Sequence, residues 1–535
     1  MKVLALNLSH NASCAVIENG EIIFSIEEER LSKIKKDHEI KKICELLKDN
    51  FYDFIYYTSF NINNDNKQFY STYVLNLLKK NKITFNELIE YPYHHNTHAF
   101  SAFYNSGFDE AIVLVIDNGG VSIKVEEKQM GTEILSIIKL KYNQEPETLF
   151  KICKNEIGKN FNFRGNFFSV DTISIAGIYE YFIEIFKLSE PGSIMGYSSY
   201  GKSKFAFKLF TIENNCFKSN QFSLYELVCS KEKIENICSY IQNECTEIVY
   251  YYLNLIKQNY FNIPICVSGG FFQNCVANYN FLKKGINIFV DPISHDGGTS
   301  LGLAQYAYLK HSNNKKIIKY KNLYLGPKRK YEEFTKIINK NFSLLKEKKS
   351  LKDIALLLKN NKSIGIFQGS SEIGPRALGN RSLLFNPSDF FAKEKINLIK
   401  KREWYRPYAG TILDEYKNEW FDLSLKESTD FMSYAVNVKK EKINIIPGIC
   451  HVDNTCRIQT LKQIDNPLFY NLIKEFFLLT NIPIVGNTSL NLSGKPLVED
   501  FDDLMQFLFD SNVDYVYVPE QEILYSKQQL KNLQE

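Results

Sequence analysis

An α/β fold divided into two domains is what this sequence predicts, on three observations. Short apolar runs of strand character end in Gly- or Asp-bearing turns that open helices, as across 263–275 and 286–302. The 535 residues exceed what one ordinary hydrophobic core organises. A polar, lysine-rich stretch at 311–322 then breaks the pattern and marks the domain boundary.

Taken in order, the chain opens with three short strands, Lys2 to Leu8, Ala12 to Glu18 and Glu21 to Glu27. Asn19-Gly20 between the last two is a strong two-residue hairpin signal. Ser9-His10-Asn11 joins the first pair. Small polar residues in such a turn suit close approach of backbone N–H groups to an anion, although most such turns are only turns. Glu27-Glu28-Glu29-Arg30 reads as a solvated helix start, with acids at the favourable N-terminal end.

His94, His95 and His98 place three of the chain's eight histidines within five residues, on a helix expected to stop near Gly107. Positions four apart share a helix face, so His94 and His98 can offer two imidazoles to one metal ion. Taken alone, the pattern is more often one core histidine with surface neighbours. The strand Ala111 to Ile116 then delivers Asp117 at its C-terminal end, which completes a plausible ligand set of two imidazoles and a carboxylate.

Residues 125 to 190 read as mixed helix and loop without clear chemistry, and Glu190 to Tyr197 as a loop into a site. Residues 231 to 258 are helical. The strand before Ser268 runs into Gly269-Gly270 and a helix beginning near Asn274, which is a ready anion or nucleotide site. A further strand, Ile286 to Val290, precedes Asp296, a second carboxylate before a Gly-rich helix start and a candidate fourth ligand.

Beyond the boundary, arginines recur among Gly, Ser and Thr in 374–382, 401–407 and 451–457, with Asn487-Thr488-Ser489-Leu490-Asn491 following. Planar guanidinium forks in such settings suit phosphate or carboxylate recognition. Any one of these stretches reads as surface arginines at a turn. Four in one domain of ordinary charge favour a site.

Composition narrows the function. With 44% hydrophobic and 24% charged residues and a net charge of +4, nothing supports nucleic acid as the main partner. No apolar run is long enough to span a membrane, and the N-terminus runs straight into strand-like sequence without a signal-peptide pattern. The eleven cysteines form no CxxC pair, so a reducing cytoplasmic setting is expected.

Together the quoted stretches resemble the NodU/CmcH family of O-carbamoyltransferases. The match is carried by His94-His95-xx-His98-Ala99, Ser268-Gly269-Gly270, Asn274-Cys275, the string Gly374-Pro375-Arg376-Ala377-Leu378-Gly379-Asn380-Arg381-Ser382, Arg402-Glu403, Arg406-Pro407, and the regions around Arg457 and Asn487. The resemblance implies a TsaD-like domain over 1–315 with actin-like ATPase architecture, and a YrdC-like α/β domain over 320–535. It implies that the second domain makes carbamoyl-adenylate from carbamoyl phosphate and ATP with Mg2+. The first would pass the carbamoyl group to a hydroxyl of a small metabolite or sugar beside a metal, Fe2+ in related proteins. By position, His94, His98, Asp117 and Asp296 look like the metal ligands, and His10 and Asn11 sit at the transfer site. Arg376, Arg381, Arg402, Arg406 and Arg457 look like the donor and ATP pocket, with Ser489 and Asn491 nearby and Gly269, Gly270 and Asn274 as nucleotide contacts. The oligomeric state stays open, with a homodimer among the options. A related transferase using another donor, or a non-catalytic nucleotide-binding relative, would share many of these residues.

Three positions depart from the family's pattern. Ser370 stands where an arginine is usual before the Gly374 string, Ser193 where a lysine is usual, and His10 is followed by Asn11 where the family has aspartate.

Overall fold

The computed structural model describes residues 1–59, 64–120, 122–126, 129–155, 161–162, 167–170, 172–202, 205–313, 318–328 and 344–527. The chain divides into two compact units, residues 1–32 with 36–320, and 33–35 with 321–535. Within the polar stretch at 311–322, residues 314–317 lie outside those described.

The first unit begins with β1 (Lys2–Leu8), β2 (Ser13–Glu18), β3 (Glu21–Glu27), β4 (Phe51–Ser59) and β5 (Thr84–Glu90). They form one sheet in the order β3-β2-β1-β4-β5. The first three strands alternate in direction, and β4 and β5 run parallel to β1. Asn19 and Gly20 both take positive φ, +51° and +86°, as the two-residue turn between β2 and β3 requires. β1 is buried from Val3 to Leu8, the continuous apolar run expected of a strand covered on both faces.

A second sheet repeats the plan. Its core order is Glu147–Asn155, Gln129–Lys141, β6 (Glu110–Ile116), Ile265–Ser268 and Ile288–Val290. The first three alternate in direction and the last two run parallel to β6. Counted in chain order, both sheets read 3-2-1-4-5. This is the duplicated mixed sheet of the actin-like architecture.

Three sequence expectations need correction. Residues 125 to 190 contain the expected helix, Ile175–Phe186, but also two long strands where helix and loop alone were expected. Their strand character is masked because Glu133 and Ser136 point inward, to Lys151 and His95. Residues 190 to 197 form a helix, Pro191–Ser198, where a loop was expected; proline at its first position is pre-set for a helix start. Glu27, Glu28, Glu29 and Arg30 are buried, not solvated. Glu28 accepts hydrogen bonds from the N–H groups of Lys42 and Ile43 at 2.6 and 2.7 Å. Burial still pushes its carboxyl up to about 7.

Two helices connect the sheets to the site. His94–Ser106, the histidine helix, ends at Gly107 with φ +82°, and Thr299–His311 follows the last strand. They cross in close contact at Gly302. A Cβ there would lie 2.4 Å from Ser101 N and 2.5 Å from Thr97 O.

The second unit is built on a mixed sheet with ten strands among the described residues. Its central strands are, in spatial order, Ile364–Phe367, Arg381–Phe385, Ile484–Ser489, Ala409–Leu413 and Thr455–Leu461. Helices Leu351–Lys359 and Pro467–Thr480 carry apolar stripes that bury Leu358 and Phe476. Among the described residues no helix is long and apolar enough to cross a membrane.

Candidate active site

The four residues read as metal ligands converge in the first unit. Histidine spacing on one helix, the end of β6 and the turn before Thr299 bring His94, His98, Asp117 and Asp296 together, with one ligand atom from each lying within 4.8 Å of the others. His94 Nε2 and His98 Nε2 are 3.2 Å apart. Asp117 Oδ2 stands 3.9 and 3.3 Å from them, and Asp296 Oδ1 3.6 and 3.4 Å. Ligands about 2.1 Å from a common tetrahedral centre would be about 3.4 Å apart, so the spacing suits a divalent ion.

The electrostatics agree. All four side chains are buried. Burial alone would depress His94, but Asp296 and Asp117 override it and raise its imidazole to about 10. His98 is raised by the same carboxylates against burial, and the histidines hold Asp117 and Asp296 below the usual carboxylate range. Two imidazoles facing each other at 3.2 Å between two carboxylates form a strongly cation-seeking pocket. His2Asp2 is a chemically sensible first shell for a divalent transition metal.

The neighbouring turns come from both sheets. His10 is half-exposed at the rim, with Nδ1 3.0 Å from Asp296 Oδ2. Asn7 ties this turn down. Its Nδ2 donates to Ser9 Oγ, to the Asn11 carbonyl and to the Asp296 carbonyl, at 2.8, 3.1 and 3.0 Å. Asn11 Nδ2 donates to Glu27 Oε2 at 3.5 Å. Gly269, at φ +99°, passes so close to β6 that a Cβ would lie 2.3 Å from Ile116 O. At Gly270 a Cβ would come within 3.0 Å of Asp117 Oδ1, so the glycine pair borders the ligand cluster. Asn274 is occupied otherwise. Its Oδ1 accepts from Ala277 N at 3.1 Å to cap the next helix, and its Nδ2 donates to Tyr179 and Gln242 at 3.0 and 2.9 Å. Ser193 is buried in its helix, 3.2 Å from the Ser189 hydroxyl.

In the second unit, register collects the other predicted residues at one end of the sheet. Ser382 pairs with Ser489, Ala409 with Asn487, and Ala409 with Arg457, while Arg406 lies just before Ala409. The Gly374–Gly379 loop is shaped by Glu372, whose Oε1 accepts from the N–H groups of Leu378, Asn380 and Arg381 at 2.7, 2.8 and 3.2 Å. The loop's Ala377 and Leu378 carbonyls accept from Asn487 and Gln459. Arg376 is thereby presented, half-buried, from a braced loop.

Arg381 has a structural post. It is fully buried, donates to the carbonyls of Gln368, Asn380, Gly369 and Glu499, and stacks 3.8 Å from the Phe367 ring centroid. Ser489 and Asn491 are gathered by Lys400, whose Nζ donates to both side chains at 3.1 and 2.8 Å and to both carbonyls at 2.5 and 2.9 Å. Asn7, Glu372 and Lys400 escape a reading of the sequence. Lys400 adjoins the basic stretch at 401–407, but only the Ala392–Lys400 helix end shows where it reaches.

Two family profiles match the chain. One, "Carbamoyltransferase N-terminus", covers residues 45–305, and the other, "Carbamoyltransferase C-terminus", covers 355–525. The chain belongs to the carbamoyltransferase family. Among similar proteins, nodulation protein NolO of Bradyrhizobium diazoefficiens is 29% identical over 79% of this chain and 77% of its own length. The uncharacterized protein MJ1051 of Methanocaldococcus jannaschii is 30% identical over 96% and 97%. The 3'-hydroxymethylcephem-O-carbamoyltransferase of Amycolatopsis lactamdurans is 28% identical over 46% and 45%. Among solved structures, full-length HypF in its phosphate- and nucleotide-bound form aligns with TM-score 0.38 at 14% identity, over 58% of this chain and 56% of that one.

Proposed function

We propose that this carbamoyltransferase takes carbamoyl phosphate and ATP, forms carbamoyl-adenylate, and transfers the carbamoyl group to a hydroxyl of a small metabolite or sugar. The observation that carries the reading is the buried His94, His98, Asp117 and Asp296 cluster beside the Gly269-Gly270 turn, in a chain of this family. The cephem relative's name, which specifies O-carbamoylation, supports a hydroxyl acceptor. Eleven cysteines with no CxxC pair support a reducing, cytoplasmic setting.

The atoms balance in two stages. Water converts carbamoyl phosphate to carbamate and phosphate. A carbamate oxygen then attacks the α-phosphorus of Mg2+-bound ATP, and pyrophosphate leaves. Arg376, Arg402, Arg406 and Arg457 are assigned to the charge on donor and nucleotide phosphates. Arg381, Lys400 and Glu372 hold the pocket's walls. In the transfer stage the acceptor oxygen attacks the carbamoyl carbon and the C–O bond to the adenylate breaks, so that AMP departs with its electrons. His10 takes the acceptor's proton, held in place by its Nδ1 contact to Asp296. Asn11 and Asn7 fix the turn that presents it. His94, His98, Asp117 and Asp296 would hold a divalent metal, Fe2+ in this reading, which would supply Lewis-acid polarisation of the carbamoyl carbonyl.

The test needs no acceptor. Purified protein with ATP and Mg2+ is followed for pyrophosphate release with and without carbamoyl phosphate. Release that depends on carbamoyl phosphate supports the donor assignment. Release without it points to another activated acid, and no release in either case refutes donor activation by the chain alone.

A further inference from the structure

Next to the ligand cluster, three buried side chains form a chain of contacts. His98 Nδ1 lies 3.4 Å from Ser268 Oγ. Ser268 Oγ donates to Asp291 Oδ2 at 3.0 Å, and Asp291 Oδ1 accepts the Ile293 N–H at 3.1 Å. The fold sets these positions. Val267 pairs with Val290 on adjacent parallel strands, so Ser268 and Asp291 are the next residue on each. None of the three side chains belonging to His98, Ser268 and Asp291 exceeds 1% exposure.

A hydroxyl has one proton and a carboxylate only accepts. With the Ser268 proton committed to Asp291, the serine oxygen meets His98 as an acceptor, and the imidazole proton must sit on Nδ1. The lone pair is then on Nε2, the nitrogen that faces Asp117 and Asp296 at 3.3 and 3.4 Å. We propose that Ser268 and Asp291 are positioning residues that lock His98 in its Nδ1–H tautomer and so present Nε2 as a metal donor. This rests on the metal reading above. The arrangement is a carboxylate–histidine–metal relay with a serine inserted between carboxylate and ring.

Asp291→Asn makes the relay testable because it reverses direction. Oδ1 must still accept the Ile293 N–H, so the new amide NH2 occupies the Oδ2 position and donates to Ser268. The serine proton then turns to His98 Nδ1, and the ring proton moves to Nε2, where it blocks the metal. Ser268→Ala only releases the constraint. The relay therefore predicts a larger loss for Asp291→Asn than for Ser268→Ala, and no added loss from Asp291→Asn once Ser268 is alanine.

The experiment is Zn2+ affinity by chelator competition on the full chain, with melting of the metal-free proteins as a folding control. About tenfold weaker binding is expected for Ser268→Ala, about 100-fold for Asp291→Asn, and about tenfold for the double variant. Co2+ absorption spectra of the same proteins report whether the ligand geometry survives. Penalties that add in the double variant, or single variants that bind Zn2+ like wild type, overturn the relay while the metal site stands. Wild-type protein that fails to bind Zn2+, or a His94→Ala/His98→Ala variant that binds it normally, overturns the metal reading and the relay together.

Discussion

Lys151→Met is the most informative stability test, because it removes one half of a buried ion pair directly beneath the histidine helix. Glu133 is fully buried, its Oε1 pairs with Lys151 Nζ, and its Oε2 lies 3.5 Å from the backbone N–H of His95. Burial raises the Glu133 carboxyl, but the Lys151 charge more than offsets this and brings it to about 2. Against an ordinary glutamate value of 4.5, that depression corresponds to roughly 3 kcal/mol of native-state stabilisation. The sign follows directly: this contribution is complete above about pH 4.5 and is lost as pH falls toward 2. Removing Lys151 strands a buried carboxylate, at an expected cost of about 3–5 kcal/mol at pH 7. In the variant Glu133 becomes easier to protonate folded than unfolded, so the variant should lose stability as pH rises above the ordinary glutamate value of 4.5. Urea unfolding of wild type, Lys151→Met and Lys151→Met/Glu133→Gln at pH 5 and pH 7.5 reads all of this. The double variant should recover more than half of the loss, since replacing both partners leaves no unpaired charge. A loss below about 1 kcal/mol for Lys151→Met, or one independent of pH, would show that the pair does not carry the charge balance argued here.

Three further outcomes are expected. His94→Ala/His98→Ala should lose bound metal by elemental analysis and abolish carbamoyl transfer, while pyrophosphate release in the second unit persists. Gly269→Ala should cost about 1–3 kcal/mol for its positive φ alone, with the Ile116 contact at 2.3 Å adding to that; a melting temperature within one degree of wild type would refute it. Arg381→Lys, which cannot reproduce the planar fork, should lower the second unit's stability by about 2–3 kcal/mol. If it instead abolishes carbamoyl phosphate dependence with no change in melting, Arg381 belongs to the donor pocket after all.

Much of the site was legible because its signals are local. Four-residue spacing placed His94 and His98 on one face, and strand-end position delivered Asp117. Asp296 was readable from the glycines that follow it. What escaped was set by long-range packing. Glu133 and Ser136 look like the solvent face of an irregular segment until the strand they lie on is seen to cover His95 and Lys151. The acids at 27–29 resemble a solvated helix start, yet Glu28 is consumed by N–H groups fourteen and fifteen residues away. Arg381 and Asn274 carry residue types suited to ligands, but neighbouring carbonyls and a helix cap occupy them. Residue type announces what a side chain can bind; its partners decide whether that capacity is already taken.

The repeated sheet order has a consequence for how such a centre can evolve. The turn bearing His10 follows the first strand of one repeat, and the turn bearing Asp117 follows the first strand of the other. These are equivalent places in two sheets of the same strand order. A duplicated gene would have supplied one position twice and left each copy free to specialise. One copy presents a half-exposed imidazole, suited to a changing guest, while its twin offers a buried carboxylate suited to a fixed ion. Change on the His10 side is therefore coupled to the buried cluster, because His10 and Asn7 both contact Asp296.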